Sequence, residues 1–290
     1  MKPKIIVILG PTSSGKSDLA VQIARKVNGE VISADSRQVY KGLDIGSGKI
    51  TKKEMQGVPH HLLDVANPKN KFTVTDYKEL ANKKIEEIIT RGNVPIICGG
   101  TGFYIDAVVN GIILPEVPPN EKLRKSLDEK SELELFKILK TLDKNRAKTI
   151  DAKNKIRLIR AIEIAKALGK VPKIKKQNLP YEFTKIGLYV PKEILAEKIH
   201  TRLLARIKKG MLNEAKKLHK QGLSWKRMEE LGLEYRYMAL YLQKKITKGE
   251  MLARLNSEIF KYSKRQMTWF KRDKEIKWID ASKKFSIPKL

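Results

Sequence analysis

Residues 10–17 read GPTSSGKS, and the reading of this octapeptide decides the fold. It fits G-x-x-x-x-G-K-[ST], with the apolar run KIIVIL (4–9) before it and a helical pattern after it. Gly10, Pro11, Thr12, Ser13, Ser14, Gly15, Lys16 and Ser17 then form a phosphate cradle. Its backbone N–H groups point at anionic oxygens, Lys16 meets the terminal phosphate, and the Ser17 hydroxyl can ligate Mg²⁺. The preceding apolar run is short and ends in glycine-rich sequence, so it reads as a buried strand rather than a signal peptide. After the loop, DLAVQIARKVNG puts Leu19, Ile23 and Val27 on one helical stripe that Gly29 ends.

Working outward, EVISADS reads as a second strand, TVTDYKELANKKIEEIITRG as a helix ending at Gly92, and VPIICGG as a third strand. This alternation predicts an α/β fold with a P-loop NTPase-like parallel sheet core and active groups at the strands' C-terminal ends. After the proline-rich LPEVPPNE the pattern is purely helical as far as Gly169. In NKIRLIRAIEIAKALGK, Asn154 caps a helix, Leu158, Ile162 and Ala165 form its stripe, and Gly169 stops it. KIGLYVP (185–191) reads as a strand again, and the chain from 194 to 272 is mostly helical. The expected division is a core over 1–115, an inserted all-helical domain over 116–184, and core completion with a mostly helical C-terminal part over 185–290.

The chain has 290 residues, of which 61 are Lys or Arg and 32 Asp or Glu, a net charge of +29. Residues 1–110 hold 16 basic and 11 acidic side chains; residues 111–290 hold 45 and 21. The surplus therefore lies after residue 110, the footprint of a polyanion partner, most simply nucleic acid. No apolar run approaches the length of a membrane span. The single cysteine, Cys98, excludes an internal disulfide and any multi-cysteine zinc site, and suits a reducing cytoplasm.

Four constellations carry candidate chemistry. Asp35 ends strand two, where a carboxylate faces the phosphate loop; it can hold Mg²⁺, take a proton, or simply cap a turn. After strand three, where a nucleotide hydrolase often has an acidic residue, stand Gly99, Gly100, Thr101 and Gly102; Thr101 offers a hydroxyl to an entrant. Arg157 and Arg160, off the apolar stripe of their helix, suit phosphate contacts or a solvated face. In KYSKRQMTWFKR, Arg265, Trp269 and Arg272 follow at spacings of four and three, a pattern for RNA backbone contact and base stacking. His60 and His61 are adjacent and so share no helix face as zinc ligands do; they read as structural.

Together GPTSSGKS (10–17), ISADSRQVYKGLDIG (32–46), PHHLLD (59–64), GGTGFYIDA (99–107), RLIRAIE (157–163), RLLARI with GMLNEA (202–215) and KRQMTWFKRD (264–273) resemble the bacterial tRNA dimethylallyltransferases, the tRNA adenosine isopentenyltransferases. The resemblance covers nearly the whole chain. It implies transfer of a dimethylallyl group from dimethylallyl diphosphate to N6 of the adenosine 3′ of the anticodon, with release of pyrophosphate. The loop then holds a diphosphate rather than ATP. By the same resemblance Asp35 is the base, Lys16, Ser17 and Arg202 contact the pyrophosphate, and Thr101 lines the channel. The tRNA contacts fall on Asp35, Ser36, Arg37, Gln38 and Thr101, and on Ile156, Arg157, Leu158, Ile159 and Arg160. The expected partners are the tRNA anticodon stem-loop, dimethylallyl diphosphate and Mg²⁺, for a cytoplasmic monomer off the membrane. Departures stand at Asp44-Ile-Gly-Ser-Gly-Lys-Ile50, at Ile156, and at Leu231-Gly-Leu-Glu-Tyr-Arg236. The residues alone leave two other readings: a P-loop kinase of a nucleoside or small metabolite, and a nucleotide-gated RNA-binding protein.

Overall fold

In a computed structural model, residues 2–283 are described. The strands are β1 (Lys4–Leu9), β2 (Gly29–Ala34), β3 (His60–His61), β4 (Val94–Gly99), β5 (Ile112–Ile113), β6 (Lys175–Lys176), β7 (Glu182–Tyr189) and β8 (Lys277–Asp280). The helices are α1 (Lys16–Val27), α2 (Lys52–Met55), α3 (Val74–Thr90), α4 (Gly102–Val109), α5 (Glu121–Asp128), α6 (Glu132–Leu142), α7 (Lys144–Ala147), α8 (Lys155–Leu168), α9 (Lys192–Lys208), α10 (Met211–Lys220), α11 (Trp225–Leu231), α12 (Leu233–Leu242) and α13 (Lys248–Phe270). Among the described residues no helix is long and apolar enough to cross a membrane.

Six strands form one sheet in the order β3-β2-β4-β1-β7-β8, every neighbouring pair parallel. The uninterrupted apolar run of β1 explains its central place, because a strand covered on both faces has no side for polar residues. Ile5, Val7 and Leu9 pack on one face with Ala81 and Ile85 of α3. Ile6 and Ile8 pack on the other with Leu19 and Ile23 of α1. From β1 the chain crosses to β2, and β4 later fills the place between them. β7 then takes the other side of β1. That reversal opens a crevice beyond the carboxyl ends of β1, β2 and β4.

The helices α9 to α13 share a further core that includes Leu195, Leu203, Met211, Met238, Met251 and Leu255. The segment Ile112–Gln177 is a compact unit of its own. Its core is Leu127, Leu135, Leu139, Leu158 and Ile162, and it is helical apart from the two-stranded ribbon β5-β6. The Asn154 side chain accepts from Arg157 N–H, and Gly169, at φ 77°, ends α8. The strand expected from 185 begins at Glu182, since Glu182, Phe183 and Thr184 find partners in Lys4, Ile5 and Ile6. Those residues therefore belong to the sheet and not to the insertion expected over 116–184. The strand expected through Ser36 stops at Ala34, where the chain turns.

Candidate active site

The phosphate loop leaves β1 through Gly10, at φ 145°, where a Cβ would lie 2.5 Å from the Leu188 carbonyl oxygen. It enters α1 through Gly15, a helix start with no side-chain cap, so the first amides of α1 stay open to an anion. The Ser14 hydroxyl is buried without a hydrogen-bond partner. Thr12 N–H donates to Gln266 Oε1 at 2.9 Å, which ties the loop to α13. Lys16 Nζ donates to the Pro11 carbonyl at 2.5 Å. Burial lowers its pKa from 10.5 to about 8; the Arg202 charge acts the same way, while Cys98 and Asp35 oppose it. A buried ammonium of that kind is poised for an anion that would stabilise its charge.

Asp35 follows β2. Its Oδ1 accepts from Arg37 N–H at 2.8 Å and from Gln38 N–H at 3.3 Å, so it does hold a turn. The same side chain also lines a cavity of about 150 Å³, together with Lys16, Ser17, Ser33, Gln38, Arg202, Tyr262 and Gln266. A second cavity, about 380 Å³, opens along residues 13–18 and is completed by Gly48, Ile50, Glu54, Lys198 and Arg202. Lys16, Ser17, Gly48 and Arg202 face both. Arg202 comes from α9 and donates from Nη2 to Gly48 O at 3.1 Å; burial lowers its pKa, with neighbouring Arg206 adding to the effect. One turn on, Arg206 donates to Gly46 O at 2.8 Å and pairs with Glu234 at 2.8 Å.

At the end of β4, Gly99 and Gly100 leave no carboxylate facing the loop. Thr101 Oγ1 accepts from Ser36 N–H at 3.0 Å, so its oxygen fixes the turn after Asp35 rather than standing open. Tyr262 lies against it, its hydroxyl pushed up to about 12 by burial and the Asp35 charge. Gln266 Nε2 donates to Gly100 O at 2.9 Å. One amide of α13 thus fastens the ends of both β1 and β4. Tyr262 and Gln266 escape a sequence reading centred on Arg265 and Trp269, although by spacing Trp269 follows them on the same side of α13. The available sign is Gln266 itself, a polar residue in the buried series Leu255, Ile259, Ser263, Gln266 and Phe270.

Among the described residues no cluster of three or more His, Cys, Asp or Glu could hold a metal. The donors present beside the loop are hard oxygens, the Ser17 hydroxyl and the Asp35 carboxylate. They fit Mg²⁺ in the manner of sites where one or two protein oxygens share the ion with substrate phosphates.

The model of the IPP transferase family matches residues 38–273. The chain belongs to that family. It is 44% identical over 287 residues to tRNA dimethylallyltransferase 2 of Treponema denticola, covering 96% of each chain. It is 39% identical to the tRNA dimethylallyltransferase of Anoxybacillus flavithermus, covering 97% of this chain and 92% of that one. Among solved structures, the tRNA isopentenylpyrophosphate transferase from Bacillus halodurans superposes with a TM-score of 0.73 at 37% identity, covering 97% and 90% of the two chains. A eukaryotic dimethylallyltransferase acting on tRNA gives 0.79 at 25% identity, over 96% of this chain and 74% of that one.

Within this IPP transferase the residues expected to touch RNA divide into two groups. Ile156 is 81% exposed and Arg157 is exposed too. Leu158 and Ile159 are buried in the core of the helical unit, so their side chains offer nothing to a surface ligand. Arg160 also departs from the free cation expected. It donates to Val117 O at 2.9 Å and pairs with the buried carboxylate of Glu163. Burial would raise the Glu163 pKa, but donors from Arg124, Asn120 N–H and Arg160 outweigh it and hold the carboxyl near 2.

In the other unit Arg37 donates to Ser36 O at 3.0 Å, while Ser36 gives its N–H to Thr101. Gln38 stands 3.4 Å from Ser33 Oγ. Arg265 is exposed and lies over the Tyr262 ring. Trp269 is half-buried and donates from Nε1 to Asp106 at 2.9 Å. Arg272 stacks on its ring at 3.8 Å, from the turn beyond α13 rather than from the helix expected. Trp269 is thus an anchored platform rather than a free stacking ring. Leu231 and Gly232 form the joint between α11 and α12. His61, as expected for a structural residue, meets Glu30 at 2.6 Å.

Proposed function

We propose that the protein transfers a dimethylallyl group from dimethylallyl diphosphate to N6 of the adenosine 3′ of the tRNA anticodon, releasing pyrophosphate. One observation carries this reading. The phosphate loop, Lys16 and Arg202 share a cavity with the carboxylate of Asp35, while the end of β4 carries glycines in place of a hydrolase's acidic residue.

The diphosphate lies against the open amides of α1, with Lys16 and Arg202 on its oxygens. A flipped adenine enters the cavity beside Asp35 and Tyr262. As N6 bonds to C1 of the prenyl group, the bond from C1 to the diphosphate oxygen breaks. The N6 proton passes to the Asp35 carboxylate, so the product does not persist as a cation. Lys16 and Arg202 counter the charge gathering on the departing pyrophosphate, and because both are fixed before reaction, no reorganisation opposes the step. Ser17 would hold Mg²⁺ beside the diphosphate, and the ion would supply further stabilisation of that charge. The turn held by Asp35 and Thr101 presents Ser36, Arg37 and Gln38 to the RNA, and Arg157, Arg265 and Arg272 contact its phosphates. A cytoplasmic monomer serves this chemistry without a further partner.

The test is incubation with separately labelled dimethylallyl diphosphate and ATP in the presence of tRNA. The prenyl label is expected to move to tRNA and ATP to remain intact. Transfer of the γ-phosphate label to a small acceptor would make the protein a kinase. RNA affinity that follows nucleotide while both labels stay in place would make it a gated RNA-binding protein.

A further inference from the structure

Glu214, in the first turn of α10, is the acceptor for an unusual set of donors. Its Oε2 accepts from Asp44 N–H at 3.0 Å and Ile45 N–H at 2.6 Å. Its Oε1 accepts from Gly46 N–H at 2.9 Å and from the Tyr235 hydroxyl at 2.8 Å. Three successive backbone amides on one carboxylate fix the local path of the chain, since each bond to an ionised acceptor is stronger than a neutral one. Tyr235 is buried, and a Cβ on Gly46 would lie 2.7 Å from its ring, so the loop seats against that ring only with glycine there.

The carbonyls of the same loop point the other way along the chain of contacts. Gly46 O receives Arg206 and Gly48 O receives Arg202. Arg202 faces both cavities beside Lys16 and Ser17. A guanidinium on an otherwise flexible stem is held by what its other nitrogens touch. Here that support is a backbone loop which Glu214 pins from behind.

Resting on the reading of this site as a diphosphate pocket, we infer that Glu214 is a positioning residue. It acts through the 44–48 loop to aim Arg202 at the diphosphate, without touching the substrate itself. The test is a double-mutant cycle read by calorimetric titration of the full chain with inorganic pyrophosphate and Mg²⁺. Glu214→Gln keeps the size of the side chain but replaces one accepting oxygen with a donor facing an N–H or O–H. It should weaken pyrophosphate binding about tenfold, the loss expected when one charge-assisted contact is misaligned. In an Arg202→Ala background the same substitution should change affinity by less than about twofold, because the group it acts through is gone.

Tyr235→Phe is the second variant, kept for the case that Glu214→Gln fails to fold. It removes one donor to Glu214 and should give a smaller loss that likewise vanishes without Arg202. Equal losses with and without Arg202, or no loss in either single variant, would overturn the inference. Failure of the wild-type protein to bind pyrophosphate at all would instead overturn the diphosphate reading.

Discussion

Replacing Lys16 with Met should stabilise the ligand-free protein while removing its hold on the diphosphate. The lysine's pKa falls from 10.5 to about 8 in the fold. The unfolded chain therefore binds more protons between those values, and stability rises with pH across that window. Below pH 8 the whole cost of keeping the ammonium is present. The fall from 10.5 to about 8 corresponds to about 3 kcal/mol. Met also gives up the bond to the Pro11 carbonyl, roughly 1 kcal/mol, which leaves a gain of about 2 kcal/mol at pH 7. The assay is urea denaturation followed by tryptophan fluorescence. All three tryptophans, Trp225, Trp269 and Trp278, lie outside Ile112–Gln177, so the signal reports the unit that holds the site. The midpoint should rise at pH 7 and the gain should have vanished by about pH 10.5, with pyrophosphate affinity lost at both. A variant that is less stable at pH 7, or whose gain is the same at every pH, would refute the argument that burial strains this ammonium.

Asp35→Asn keeps an oxygen for the amides of Arg37 and Gln38, so pyrophosphate binding should persist in titrations while prenyl transfer falls roughly 10²–10⁴-fold in a turnover assay. Arg157→Ala should weaken binding of every substrate tRNA alike and flatten the plot of log affinity against log salt by about 0.7–0.9, whereas Arg160→Ala should leave that slope nearly unchanged. Arg160→Ala should instead lower thermal stability of the helical unit by about 1–3 kcal/mol, because it strips a donor from the buried Glu163. In the wild type, the stability owed to Glu163 should be lost as pH falls from 4.5 toward about 2, since its folded pKa is the lower one. Gln266→Leu should destabilise the protein by a few kcal/mol in urea titrations, as the Thr12 amide and the Gly100 carbonyl both lose their partner.

What the sequence made legible, and what it hid, follows from how far each constraint reaches along the chain. The order strand, phosphate loop, helix needs only residues 4–29, and the cap of α8 needs only Asn154 and Gly169; local chemistry determines both. Asp35 was legible as a carboxylate at a strand end, and the choice between turn cap and cavity wall dissolves because it is both. Tyr262 and Gln266 were out of reach, because their partners, Thr101, Thr12 and Gly100, lie more than 160 positions earlier and meet them only through the sheet. Arg160 is the instructive case, because a local sign existed and pointed away from RNA. Arg157 and Arg160 share their helix face by spacing, but only Arg160 has a carboxylate three residues on, at Glu163. Ile162 beside Glu163 and Ala165 beyond it are buried, so that carboxylate sits among residues withdrawn from water. A buried carboxylate must find cations, and the arginine three residues before it is already in reach. In a basic protein, then, an arginine with an acidic neighbour on the buried side of its helix is first a counter-ion. The arginine without one, Arg157, is the better candidate for a phosphate.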